Sequence, residues 1–576
     1  MSDETNAEPR TEGAPPAPQA GPGAPGAANA ADAVGAIGAE AAQPAREGAA
    51  RLFYCYLPHA IIFFSSACVM VVELVAGRLI ARHLGSSLYT WTSVIGVVLA
   101  GMSIGNYAGG RLADRWKPQQ FLGYLFLLAS MSCLLALATN SWIEGSSPFV
   151  DLFKKMEWTL TWPGRVFLAV FTIFLPPAFI LGTISPATAK MALDRSAKVG
   201  STLGSVYAWG ACGSILGTFL TGFWLIAALG SVGVVMVTAL CLSLIGLALG
   251  PGRLVHAVWV ALVALLFSSC CFQVPFDLLD WAQRKGWIKV EFYRFERDSN
   301  YQLVKVYDKD DADADSDTRT LALDYLVHAY VDMGQTWRIE YDYEKVYAGV
   351  ARRFVGDKET IDTFFIGGGG YTFPRWVLHT WPGSRCDVAE IDPMVLEACH
   401  EALGLPRDTP IRTYIGDARN VVDDLPADAK YDVIFGDAFN DLSVPWHLTT
   451  LEFNRKLARH LKPGGVLLVN IIDEYRFGQF LGRYVETLKR TFPHVYVFCT
   501  QGNGVRNDAR DTFVVAASDK EMDFDPWLPG HEEVFEGSLL TPENLASLKE
   551  KSGGRILTDD DAPVENLLAP VIESRR

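Results

Sequence analysis

The sequence predicts three folded parts in series: a multi-helix α transmembrane bundle, a small antiparallel β domain, and an α/β Rossmann-like domain. Three observations carry that prediction. Long apolar stretches crowd the first half of the 576-residue chain, which is 50% hydrophobic and only 20% charged, with a positive mean hydropathy. Short alternating runs come next. From Thr360 onward, strand-like and helix-like segments alternate strictly, the pattern of a parallel sheet covered by helices on both faces.

Residues 1–50 are mostly Ala, Pro, Gly, Glu and Gln, with too few large apolar side chains to offset the entropy of ordering, and are expected to be a disordered tail. They lack the charged start, apolar middle and cleavage site of a secretory signal. Residues 51–273 are read as the membrane-spanning domain. About seven candidate spans cover 57–76, 89–108, 121–138, 166–186, 203–229, 232–249 and 255–272, most of them near the ~20 residues that cross the hydrocarbon. Small residues recur in them, as in "GVVLAGMSIGNYAGG" and "WGACGSILGTFLTG", and let helix backbones approach. Pro176 and Pro177 are expected to kink or break the fourth span. Glu73, inside the first, is either functional or paired with Arg78 or another helix.

Basic residues set the orientation. Arg111, Arg115 and Lys117 share one side with Lys190, Arg195 and Lys198, and the positive-inside rule makes that side cytoplasmic. Seven full crossings would then leave the carboxy-terminal half outside. A cytosolic ligand for that half argues for the cytoplasm instead, and requires one span to be re-entrant or miscounted, the broken fourth or the short sixth.

Composition excludes several chemistries. The net charge of -15 includes the acidic run Asp308–Asp317, read as a solvated loop, and nothing resembles a nucleic-acid surface. Only Cys386, Cys399 and Cys499 fall in the soluble half, without ligand or pairing spacing, so neither a disulfide framework nor a zinc site is indicated. No metal is expected.

The β domain is placed at 285–345, with strands in "NYQLVKVY" and "TRTLALDY", and the Rossmann-like domain at 346–576. In such sheets ligands sit outside the carboxyl ends of the strands, where glycine permits close approach and a helix start offers free amides. Gly367, Gly368, Gly369 and Gly370 follow the first strand, "TIDTFFI". Glu390 ends the second in "VAEID", where a carboxylate can accept both hydroxyls of a ribose. Asp417, followed by Ala418, ends the third and suits an adenine amino group; Asp437 ends the fourth, beside the expected reaction centre. Each acid alone could be a helix cap or a turn residue. On successive strands, together, they indicate an adenosine-containing ligand.

These stretches, with "SNYQLVKV", "EYDYEKVYAGV", "IGDAR", "YDVIFGDAF" and "LKPGGVLLVN", resemble the spermidine synthase family of polyamine aminopropyltransferases from about Ile288 to the end. The whole chain is similar to membrane-fused members of that family, often described as fusions with a major facilitator-like domain. The resemblance implies a β domain before a methyltransferase-like Rossmann domain, a decarboxylated S-adenosylmethionine donor, an amine acceptor, and commonly a dimer. It sets Gln302 against the donor, Glu390 on the ribose and Asp417 on the adenine. It makes Asp437 the catalytic acid and Tyr343 a tyrosine near the acceptor. Three departures stand out. The family's glycine loop reads GGGDGG, and its Asp, which grips the donor amine, falls here on Gly370. The family's second acid falls on Asn440, unless a one-residue shift brings in Asp441; Glu344 stands where Gln is frequent. Loss of the loop acid permits intact S-adenosylmethionine as donor, hence methyl or aminocarboxypropyl transfer, or a transporter with a non-catalytic sensing domain. The bundle remains an anchor, a port for a polyamine, or a platform for a lipid-borne acceptor in the cell membrane.

Overall fold

The computed structural model describes residues 30–84, 87–142, 162–196, 198–250, 253–272, 293–309, 317–324, 326–438, 444–500, 510–524 and 537–573. Two compact units divide the chain, Met1–Leu57 and Pro58–Arg576. In the first, the helix Ala30–Leu84 begins within the stretch expected to be disordered. The alanines responsible for that segment's low hydrophobicity are also the best helix formers.

Among the described residues, five segments are long and apolar enough to cross a membrane by length and composition: Tyr56–His83, Leu88–Arg115, Pro118–Asn140, Pro163–Leu193 and Val199–Leu249; Arg253–Phe267 is a shorter apolar helix. The 51-residue segment Val199–Leu249 contains two of the expected spans, because its helix is interrupted at Gly230, where φ is 67°. The expected break at Pro176 and Pro177 is absent: the helix Trp162–Leu193 runs through both and through Pro186. Close packing supports it there. Gly101, Gly105 and Gly109 press Leu88–Arg115 onto its backbone, so tightly that a Cβ at Gly105 would lie 2.2 Å from the Phe179 carbonyl oxygen. Arg78 does not turn to Glu73. It donates to the carbonyls of Ser299 and Asn300, far along the chain.

Strands β1 (Tyr293–Asp298), β2 (Leu303–Asp308), β3 (Thr318–Leu323) and β4 (Leu326–Asp332) form an antiparallel sheet in that order. A second sheet has eight strands: β5 (Asp362–Ile366), β6 (Arg385–Glu390), β7 (Arg412–Ile415), β8 (Tyr431–Gly436), β9 (Leu461–Glu474), β10 (His494–Cys499), β11 (Arg510–Ser518) and β12 (Ser538–Leu539). Their order is β12-β10-β11-β9-β8-β5-β6-β7. Strands β5 to β9 are parallel to their neighbours within that group, and β11 runs antiparallel to both β9 and β10. Alternation along β5 explains the two-sided core. Phe364 and Ile366 join one apolar cluster and Phe365 the other, where it stacks on Phe435 with ring centroids 4.7 Å apart.

From β5 the chain winds outward through β6 and β7, then returns to place β8 on the other side of β5. That reversal opens a crevice at the carboxyl ends of β5 and β8, the usual ligand position in a doubly wound sheet.

Candidate active site

The crevice is built by backbone before any side chain enters it. The Gly367 N–H donates to Ala389 O and the Asp437 N–H to Ile366 O, both at 2.9 Å. Gly367 has φ 97°, and a Cβ there would sit 2.4 Å from Asp437 O, so only glycine fits. Gly370 lies against β4: an added Cβ would come 2.5 Å from the Ala329 Cβ. An acid at position 370 therefore requires the β domain to shift, which gives a physical reason for the departure from the family loop. Tyr371 follows in the left-handed region at φ 55°, fully buried, with its hydroxyl 3.1 Å from that of Thr413.

Sequence reasoning missed Arg375. Its guanidinium donates to the carbonyls of Gly370, Tyr371 and Leu403 at 2.8, 3.1 and 2.8 Å and holds the glycine turn closed. Burial lowers its pKa to about 10, and a buried cation satisfied by three carbonyls is a structural brace.

On the β6 side, Glu390 is buried. One carboxylate oxygen accepts the Gly368 N–H at 2.8 Å and the other the Asp392 N–H at 3.0 Å. Burial raises its pKa, and those amides oppose the rise. Each oxygen keeps lone-pair capacity for a further donor. Asp392 caps the helix Pro393–Ala402 through Met394 N–H and accepts the Ser299 hydroxyl at 2.5 Å. Ser299 opens the turn that ends at Gln302, itself buried, and its Oγ accepts the Tyr301 and Gln302 N–H groups.

Asp417 precedes Ala418 and caps the helix Ala418–Asp424 through Arg419 N–H at 2.8 Å. Its other oxygen lies 2.7 Å from His447 Nε2, a partner that nothing in the sequence announced. Exposed Ile391 and Ile415 flank these acids at the ends of β6 and β7.

Across the crevice, Asp437 is clamped at both oxygens: Asn470 Nδ2 donates at 2.9 Å and the Tyr343 hydroxyl at 2.7 Å. Tyr343 belongs to the helix Asp342–Val355, and the Tyr347 hydroxyl one turn on donates to Gly436 O. Asn470 comes from β9, and a signal for it lay in "LLVNII", one polar residue inside an apolar strand. Burial raises the Asp437 pKa against these two hydrogen bonds. Burial and then Asp437 push buried Glu344 up to about 8. Both carboxyls thus resist carrying charge together.

A cavity of about 250 Å³ opens onto Asp437, Tyr343 and Asn470, with His328, Tyr341 and Arg510 on its other walls. His328 Nε2 is buried without a protein partner, and burial lowers the ring's pKa to about 4, so this imidazole is neutral at physiological pH. Asn440 and Asp441 lie outside the described residues. Cys386, Cys399 and Cys499 are buried, and none is in a disulfide.

No family model matches the chain. A probable polyamine aminopropyl transferase from Bifidobacterium longum is 33% identical over 139 residues, 24% of this chain and 28% of that protein. A polyamine aminopropyltransferase from Vibrio vulnificus is 35% identical over 106 residues, 18% of this chain and 36% of that protein. The chain thus spans about a third or less of these relatives' lengths. Among solved structures, a probable spermidine synthase from Corynebacterium glutamicum aligns at 21% identity and a TM-score of 0.41, covering 48% of this chain and 99% of that one.

Proposed function

We propose that this chain, related over part of its length to the polyamine aminopropyltransferases, is a membrane-bound transferase. It moves a propylamine-type group from an S-adenosylmethionine-derived sulfonium donor to an amine and releases methylthioadenosine. One observation carries the reading: a carboxylate, Asp437, fixed at both oxygens between a glycine-lined crevice and a cavity of acceptor size.

The chemistry follows from that placement. An amine at neutral pH arrives protonated and is not nucleophilic. Asp437 accepts its proton as the nitrogen lone pair attacks the carbon bound to the sulfonium. The N–C bond forms while the C–S bond breaks, and the breaking pair goes to sulfur, leaving a neutral thioether. Tyr343 and Asn470 keep the carboxylate aimed, and alignment of nitrogen, carbon and sulfur supplies most of the acceleration. Glu390 and Asp417 hold the ribose and adenine, Gln302 and Gly367 to Gly370 enclose the donor, and Glu344, held neutral, faces the acceptor.

A second reading of the donor rests on Gly370. With no acid there and no room for one, nothing at that position repels a carboxylate, which favours intact S-adenosylmethionine and with it methyl or aminocarboxypropyl transfer. Incubating the full chain in detergent micelles with each donor and a panel of amines separates the readings. Methylthioadenosine from the decarboxylated donor supports the first, S-adenosylhomocysteine or aminocarboxypropyl product the second. Absence of both points to a sensing domain.

The apolar helices support residence in a bilayer. The soluble half meets the bundle where Arg82 pairs with Asp298 and the Leu88 N–H donates to Glu565. Arg111 and Arg115 end the 28-residue helix that Leu88 begins, about 40 Å away at 1.5 Å per residue. The positive-inside rule then sets the catalytic half on the face opposite the cytoplasm, against the expectation from the cytosolic ligand. Labelling single cysteines at Ser196 and Glu401 from each side of sealed vesicles tests this; equal protection of both sites would refute it.

A further inference from the structure

The turn between β1 and β2 carries Gln302 toward the donor crevice, and it is held from two directions. On the crevice side, the Ser299 hydroxyl reaches Asp392 at 2.5 Å. The Asp392 N–H reaches Glu390 at 3.0 Å, and Glu390 in turn receives the Gly368 N–H at 2.8 Å. One unbroken series of hydrogen bonds thus links the turn to the glycine loop. On the opposite side, the same turn is gripped by the bundle. Arg78 sends Nη2 to Ser299 O at 2.8 Å and Nη1 to Asn300 O at 3.0 Å, one guanidinium forked over consecutive carbonyls. Arg82 Nη2 meets Asp298 Oδ2 at 2.6 Å, and that oxygen also accepts the Ser231 N–H at 2.8 Å. Ser231 follows Gly230, whose φ of 67° exposes the amide.

Apart from the exposed carbonyl of Asn300, these contacts lie below the surface. The side chains of Arg78, Arg82 and Asp298 retain 15%, 13% and 7% of their exposure, so each charge depends on its partner. Nor is the fork replaceable by any cation. Two carbonyls side by side match a planar guanidinium and not an ammonium, whereas a single carboxylate oxygen accepts either.

We infer that Arg78 and Arg82, on the apolar first helix, are positioning residues of the donor site, and that the bundle is a wall of that site and not only its anchor. The inference rests on the proposed donor reading for Gln302 and Glu390. Arg78 orients the carbonyls of the turn, Arg82 fixes its leading carboxylate, and the Ser299–Asp392–Glu390 series transmits that placement to the ribose carboxylate. A tilt of the first helix would therefore alter donor affinity before it altered acceptor binding.

The experiment is calorimetric titration of the full chain in micelles with methylthioadenosine and with both S-adenosyl donors, alongside steady-state kinetics. We expect Arg78→Ala and Arg82→Ala to weaken nucleoside affinity and raise donor KM roughly tenfold, the scale of a lost charged hydrogen bond, with acceptor KM and kcat within about threefold. Arg82→Lys should restore most of the affinity and Arg78→Lys little. Asp298→Asn, close in shape, covers the case in which an alanine variant fails to fold, and should also weaken the donor selectively. Unchanged nucleoside affinity in Arg78→Lys and Asp298→Asn would overturn the inference, as would equal losses on donor and acceptor. Because binding is read without turnover, a wild-type protein that binds nucleoside but transfers nothing sinks the transferase reading alone.

Discussion

The two sides of the crevice are made differently. On the donor side every carboxylate oxygen named above already has a partner: Glu390 holds two backbone amides, Asp417 an amide and His447, Asp392 an amide and Ser299. On the acceptor side the polar groups are crowded but incompletely matched. Asn470 Oδ1 and His328 Nε2 are buried without protein partners, and Asp437 and Glu344, like Glu390 on the donor side, resist ionising. A rigid cradle suits a ligand recognised by fixed hydroxyls and a planar base. A cavity that stores unfavourable electrostatics suits a cation, whose arrival relieves them.

If that contrast holds, its largest consequence falls on Asp437. Asp437→Asn keeps the shape and the Tyr343 contact but cannot take a proton. We expect kcat to fall by roughly 10²- to 10⁴-fold, the usual weight of general-base catalysis, with nucleoside affinity unchanged by calorimetry. A loss of nucleoside binding of similar size would merge the two sides and end the comparison.

Next comes the pH dependence of stability. Glu344 has a folded pKa of about 8 against an ordinary 4.5, so the folded state binds its proton more tightly than the unfolded chain. Stability from this group is therefore complete below about pH 4.5 and is lost as pH rises through 8. Asp437, Glu390 and Asp473 shift the same way, so replacing Glu344 reduces the slope without removing it. Glu344→Gln should recover about 2–3 kcal/mol at pH 8 relative to pH 5, seen as a smaller drop in thermal midpoint between those pH values. An identical slope in the variant would mean the acceptor side stores no such strain.

The contrast also explains what was legible in the sequence. The donor side is local: Gly367 to Gly370, Glu390 and Asp417 each lie at the end of their own strand, so the alternation of strand and helix was enough to find them, as it was for Asp437 across the crevice. The acceptor side gathers residues from β4, the helix Asp342–Val355, β8 and β9. His328 carries no motif and Asn470 shows only as one polar residue inside an apolar strand, and only the fold brings them to Asp437. The bundle shows a similar limit. Apolar length located the long apolar helices, but of the kink or break expected at Pro176 and Pro177 no break appears in Trp162–Leu193, against which Leu88–Arg115 packs through its glycines. Arg78 was one candidate partner for Glu73 by proximity in the sequence, whereas the carbonyls it meets arrive more than 200 residues later.

A smaller effect sharpens the donor half. Glu390→Gln leaves the amide contacts of one oxygen but replaces the other acceptor with a donor that faces a backbone N–H. Nucleoside affinity should drop on the order of tenfold, read as a rise in donor KM with kcat nearly constant. A fall in kcat as large as that of Asp437→Asn would assign Glu390 to the chemistry and not to the cradle.

The smallest effect tests whether the cradle is fully preformed. Asp417 spends one oxygen capping a helix and the other on His447 Nε2 at 2.7 Å, yet in the proposed reading the adenine amino group needs that second oxygen. Either the nucleobase displaces His447 or it binds beside it. The pair is partly exposed, with 29% and 27% of the side chains accessible, so it is worth about 1 kcal/mol or less. His447→Ala should therefore tighten nucleoside binding by no more than about fivefold if displacement occurs, because a competing contact has been removed. If His447 instead braces Asp417 for the base, the same variant weakens binding, and the donor side, unlike the acceptor side, is complete before its ligand arrives.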